Sequence, residues 1–249
     1  MLETRNIIRW WGFPSATIIN RNFPKTQLFA HMKNAKDKQF LTDVVQSIYM
    51  LANLKTSNTH IPTYESDQEL YTEIWFYYVR TKETGKANAI YKLLASLIPY
   101  PIVLIVDNLD SFVIITGRFE RQADDYLKLI TVYSSPEYPN EQAKFEIERT
   151  ALMSMPKQSL KTVYDGLRDE MTTRLAQNQY GKELGKVTSE KKDLLDSLSS
   201  QIDRLKAQIG KEKQINRRVE MQVELQKVKN EFNDLISEKE GSENNEKEY

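Results

Sequence analysis

The stretch from Val187 to Ile236 constrains this chain more than any other, because roughly fifty residues pass without a proline. Within it Leu198, Ile202, Leu205 and Ile209 recur at alternating four- and three-residue steps, and Met221, Leu225, Val228, Phe232 and Leu235 do so again. That is the spacing of a coiled-coil seam, and a seam has to be buried against something. Read as one helix, with about 1.5 Å of rise per residue, it reaches about 75 Å. The interval from Ile209 to Met221 is longer than unbroken heptads allow, so the packing face changes there. Gly210 sits in that interval and costs about 1 kcal/mol relative to alanine in a helix, which makes it a candidate kink. Lys211, Gln214, Arg217 and Arg218 occupy the same transition, either as a solvated face or as a partner-docking epitope. A single seam leaves three occupants open: a second copy, the helix that begins after Ser159, or a foreign helix.

Ahead of this region the pattern is that of a small globular core. Leu2 to Phe29 reads as extended and turn-rich. From Asp37 the residues Phe40, Val44, Ile48 and Leu51 follow a helical period, and Leu54 to Tyr64 reads as a loop. Glu73 to Val79, aromatic and β-branched, predicts a strand. Ile90, Leu93, Leu94 and Leu97 predict an amphipathic helix ended by Pro99. The apolar run Ile102 to Val106 predicts a strand buried on both faces, turning at Asp107 to Asp110 into a partner over Phe112 to Thr116. Leu127 to Tyr133 adds a strand or short helix, and Glu141 to Met153 a short helix. Ser159 caps a helix on which Leu160, Val163, Leu167 and Met171 share a face, and Asn178 to Gly185 breaks it.

The expected class is α+β, a small mixed sheet of three to five strands with packed helices, followed by a long C-terminal coiled-coil helix. The boundaries fall at a core over residues 1–135, a connecting segment over 136–156, a helical region over 157–240 and a polar, disordered tail over 241–249.

Composition excludes several functions. The chain has no cysteine, which removes disulfides, thiolate metal sites and a cysteine nucleophile. Its only histidines are His31 and His60, read as surface or turn residues. Lys plus Arg and Asp plus Glu both total 35, so the basic surplus common in duplex-binding proteins is missing. No apolar run is long enough to span a bilayer, and Met1 to Arg9 lacks a signal-peptide core, so a soluble cytoplasmic protein is expected.

The phosphate-loop, dinucleotide, zinc-protease and nucleophile-elbow motifs do not occur. Two weaker constellations remain. Glu73 opens one strand and Asp107 closes another, and strand-end carboxylates of this kind hold Mg²⁺ in metal-dependent nucleases. The acid-x-Lys pair of many such enzymes is missing, since Ile74 and Trp75 follow Glu73. Trp10 and Trp11, with Lys25 nearby, offer an aromatic platform and a cation for a nucleic acid, against the plainer reading that the rings are core. No cofactor and no metal site is expected.

Six stretches in order carry a resemblance: Trp11-Gly12-Phe13-Pro14, Phe23-Pro24-Lys25, Leu54-Lys55-x-Ser57-Asn58, Glu73-Ile74, Ile98-Pro99-Tyr100-Pro101 and Lys211 to Glu220. Together they resemble the bacterial domain of unknown function 4391 family, from about residue 10 to 236. The resemblance implies an accessory subunit of restriction-like, anti-phage islands, encoded beside helicases and DNA methyltransferases, and it supplies no catalytic residue. The expected role is therefore a non-catalytic adaptor. It docks a helicase or methyltransferase, or self-associates, through Leu198, Ile202, Leu205, Ile209, Met221, Leu225, Val228 and Phe232. A metal-dependent nuclease or DNA-binding subunit of the same system is the alternative.

Overall fold

The computed structural model describes residues 2–32, 34–181 and 184–237. The chain divides into two compact units, residues 1–171 and 172–249.

In chain order the first unit runs α1 (Thr4–Trp11), β1 (Ile18–Asn22), α2 (Lys25–Phe29), α3 (Ala35–Val44), β2 (Val45–Lys55), α4 (Thr56–Thr59), β3 (Tyr64–Glu65), β4 (Leu70–Tyr71) and β5 (Glu73–Thr81). It continues through α5 (Ala87–Leu97), β6 (Ile102–Asp107), β7 (Ser111–Arg121), β8 (Leu127–Ser134), β9 (Tyr138–Pro139) and α6 (Ala143–Glu148) into the first turns of α7 (Leu160–Tyr180). A seven-stranded sheet has the order β1-β2-β5-β6-β7-β8, with the short β9 also pairing β7. β5 and β6 are parallel, joined by α5, and the other ladders in this sheet are antiparallel. The expected strands at Glu73 and Ile102 and the helix before Pro99 are present, and the sheet is wider than the expected three to five strands. β6 is buried along its whole length, as a central strand covered on both faces requires.

Two segments in the first sixty residues depart from the sequence reading. The segment expected to be extended opens with α1, which ends at Gly12 in a left-handed conformation (φ 66°) that closes the helix. The helical period expected through Leu51 stops at Val44, where the chain becomes β2. Register shifts in the β2–β5 ladder, between Val45 and Ser47 and again between Met50 and Ala52, are the cause. Each bulge adds a residue, so the buried positions Val45, Ile48 and Leu51 fall three apart and imitate a helix.

α7 packs as expected, with Leu160, Val163, Leu167 and Met171 all buried. Its start is a reciprocal cap: the Ser159 hydroxyl accepts the Thr162 N–H (3.2 Å), and the Thr162 hydroxyl accepts the Ser159 N–H (3.0 Å). Tyr164 reaches the sheet, donating to the Ile102 carbonyl (3.0 Å) and accepting the Gly117 N–H (3.0 Å). Glycine suits position 117, because a Cβ would run into Leu129 Cδ1 and lie 2.9 Å from the Tyr91 hydroxyl, so both side chains would have to shift. Residues 136–156, expected as a connection, contribute β9, α6, and the buried Ala143, Ile147 and Leu152 to this unit's core.

The second unit holds the end of α7, then α8 (Ser189–Lys211) and α9 (Ile215–Ser237). A long C-terminal helix is present in α9, but the single rod expected over Val187 to Ile236 is not. The helix breaks over Glu212 to Gln214, just after Gly210, and α8 and α9 fold back on each other as a hairpin. Thr188 caps α8 through its hydroxyl, which accepts the Lys191 N–H at 3.2 Å. The expected tail at 241–249 lies outside the described residues.

Candidate functional sites

The two strand-end carboxylates are in one sheet and far apart in it. Asp107 pairs Arg80 near the end of β5, whereas Glu73 begins that strand. Seven residues separate them along β5, about 23 Å at roughly 3.3 Å per residue. Glu73 and Asp107 therefore cannot share one metal ion. Among the described residues no three His, Asp or Glu side chains gather in a way that holds a metal.

Asp107 is buried, and its Oδ2 accepts the Tyr78 hydroxyl (2.6 Å) and the Leu2 N–H (3.1 Å). Arg80 donates to the Tyr78 hydroxyl (3.2 Å) and the Leu2 carbonyl (3.2 Å). Burial above all, then the bond to Asp107, pushes the Tyr78 phenol well above its ordinary value. This network ties the N-terminal residues to the sheet.

The expected aromatic platform is not assembled. Trp11 is buried, donates to the Thr150 hydroxyl (2.8 Å) and packs edge-on to Phe76 with centroids 5.0 Å apart. Trp10 is half-buried against the same core. Lys25 donates to the Val45 carbonyl (2.8 Å), and burial first, then the nearby Lys82, lowers its pKa.

At the opposite end of the sheet from Asp107, the end of β2, the start of β5 and the loop before β6 converge. β2 runs antiparallel to β5 with Asn53 opposite Trp75 and Lys55 opposite Glu73. Alternation along each strand puts these four side chains on one face. With Asn58, Tyr100 and the Ala16 to Ile19 segment they line an open groove of about 380 Å³. Glu73 Oε2 accepts both the Asn53 amide (2.9 Å) and the Trp75 indole N–H (2.9 Å). Asn58 holds the rim, donating to the Asn53 carbonyl (2.9 Å) and accepting the Lys55 N–H (2.9 Å). The Trp75 ring stacks on Tyr77 with centroids 6.2 Å apart and lies 6.3 Å from Tyr100.

Of these residues the sequence singled out Glu73 alone as a site candidate. A signal was nonetheless present. Lys55, Asn58, Glu73 and Tyr100 come from three of the six stretches behind the family resemblance, and the fold brings all three to one place.

In the second unit, Leu198, Ile202, Leu205 and Val228 are buried together, with Leu225, Phe232 and Leu235 against them. The seam is thus closed inside the hairpin. At its base, Tyr180 of α7 meets Phe232 edge-on at 5.4 Å and donates to Asp196 at 2.5 Å, while Lys192 ion-pairs with Asp196. Ile209 and Met221 are half-buried nearer the turn. Lys211, Gln214, Arg217 and Arg218 are exposed around the turn. Ile215, Val219 and Val223 are 69%, 51% and 53% exposed. At about 100° per residue these three form a stripe on the face of α9 opposite the seam.

The architecture is thus a mixed-sheet α+β unit followed by a helical hairpin unit. The chain belongs to the domain of unknown function (DUF4391) family, whose match spans residues 11–232. No curated protein and no solved structure matches it. Among the described residues, no helix is long and apolar enough to cross a membrane.

Proposed function

We propose that this protein is a non-catalytic adaptor of a bacterial restriction-like, anti-phage system, and that its helical hairpin docks a helicase or DNA methyltransferase. The observation that carries the reading is the exposed stripe Ile215, Val219 and Val223. The seam is already satisfied within the hairpin, so this second apolar face is spare. A spare face at i, i+4 and i+8 is the pattern of a helix laid into a partner's groove. Arg218, about 60° round the helix from Ile215, flanks the stripe, whereas Arg217 falls toward the seam side. Arg217 and Arg218 lie in the first turns of α9, where the helix dipole disfavours positive charge, so they do not serve the stability of that helix.

Full-length protein co-expressed with a helicase or DNA methyltransferase of such a system is expected to form a complex. Val219→Asp combined with Val223→Asp is expected to abolish that complex while circular dichroism keeps its helical signal. A complex that survives the double substitution refutes the reading.

DNA binding is the second reading, favoured by the hairpin end, where residues 204–218 carry six cations against the single acid Glu212. Duplex DNA titrated against the full-length protein separates the two, since phosphate contacts make affinity fall steeply as salt rises.

A further inference from the structure

We propose that the groove at the Glu73 end of the sheet binds a guanine nucleotide, free or as an unpaired base of a single strand. The base would lie against Trp75 and Tyr100, its donor edge on Glu73 and Asn53, and its phosphate on Lys55. This assignment concerns the first unit alone and stands independently of the adaptor reading.

The polarity of the groove follows from the hydrogen bonds on Glu73. An ionised carboxylate only accepts, so the Asn53 group facing Glu73 Oε2 is its NH₂. The Asn53 side-chain oxygen Oδ1 is thereby the amide atom not bonded to Glu73, and it makes no hydrogen bond within the described residues, although the residue is only 5% exposed. Glu73 commits Oε2 to Asn53 and Trp75, which leaves Oε1 as a second acceptor. Neither Glu73 nor Lys55 forms an ion pair among the described residues. The groove therefore presents acceptors on two neighbouring side chains, two aromatic walls and one uncommitted cation at the rim.

A ligand matching that set needs two adjacent donors on a flat ring. Guanine presents N1–H and N2–H₂ side by side. Adenine and cytosine each set one amino donor beside a ring acceptor, and uracil and thymine set their N–H between two carbonyls, so each places an acceptor against an acceptor. Aromatic side chains give stacking to any base, so the carboxylate and amide supply the discrimination. A guanidinium also offers paired donors, but it leaves Lys55 facing a like charge, whereas a nucleotide uses that lysine for phosphate. The groove volume lies in the range of small-ligand sites.

The test is calorimetric titration of the full-length protein with guanosine 5′-monophosphate, adenosine 5′-monophosphate and guanosine. The guanine nucleotide is expected to bind about tenfold or more tighter than the adenine nucleotide, the worth of one bidentate base contact. Glu73→Gln is the decisive variant. Its amide oxygen still accepts from Asn53 and Trp75, so the fold is kept, while its NH₂ replaces the acceptor at the groove; the guanine preference is expected to vanish. Lys55→Ala, on an exposed side chain, is expected to reduce the nucleotide to the affinity of the nucleoside. An oligonucleotide with one unpaired guanine that binds tighter than the mononucleotide identifies a strand as the source, and one that binds no tighter identifies a free nucleotide. The proposal is overturned by equal binding of the two nucleotides, by no binding, by an unchanged preference in Glu73→Gln, or by an arginine peptide that displaces the guanine nucleotide.

Discussion

Tyr164 shows what a single residue does in this core. Its hydroxyl joins the Gly117 N–H to the Ile102 carbonyl and lies 3.3 Å from the Tyr91 hydroxyl, so one α7 side chain satisfies backbone groups of β6 and β7. Tyr164→Phe removes the acceptor for a buried N–H and is expected to lower stability by about 1–3 kcal/mol in chemical denaturation. A change within error would mean that the Gly117 N–H finds another partner. The period of α7 placed residue 164 next to the buried Val163, but the partners of its hydroxyl lie 47 and 62 residues away. Asp107 was legible as a strand end in the same limited sense. Its burial under Tyr78 and Leu2 depends on where the N-terminal residues return to the sheet.

At the scale of elements, the apolar pattern matches the structure where one element spans one period. β5, α5, β6 and α7 are such cases. β2 departs from its pattern because two bulges give a strand the three-residue spacing of a helix. The C-terminal region was half legible. Its two seam runs and their mismatch at Gly210 were visible, and the mismatch is where the chain turns back. Because Val228 is buried at the centre of that seam, Val228→Asp places a charge against Leu198, Ile202 and Leu205. Far-ultraviolet circular dichroism is expected to show loss of the α8 and α9 signal; an unchanged spectrum would show that the hairpin does not depend on this seam.

On the scale of the whole molecule, tyrosine burial governs the response to alkali. Burial raises the phenol pKa of Tyr71, Tyr77, Tyr78, Tyr91, Tyr138 and Tyr164, in Tyr164 from 10.0 to about 12 and in Tyr91 well above 10.0. Above pH 10 the unfolded chain gives up these protons while the folded one retains them. The stability they contribute is therefore complete below pH 10 and falls as pH rises through the window to about 12 and beyond. Tyrosinate absorbance is expected to appear together with loss of the folded circular dichroism signal, in one cooperative step. Gradual ionisation with the fold intact would contradict it.

The sequence by itself determined the α+β class, the family, the central strands, the amphipathic helices and the existence of two apolar seams, because each is a local period of burial. Tertiary structure decided the rest. It set Glu73 and Asp107 at opposite ends of one sheet, since strand direction is a property of pairing. It gathered Asn53, Lys55, Asn58, Trp75 and Tyr100 around Glu73, since a groove is made by segments that are distant in sequence. It turned the seam inward, since an apolar stripe specifies that it must be covered and leaves the choice of cover to the path of the chain.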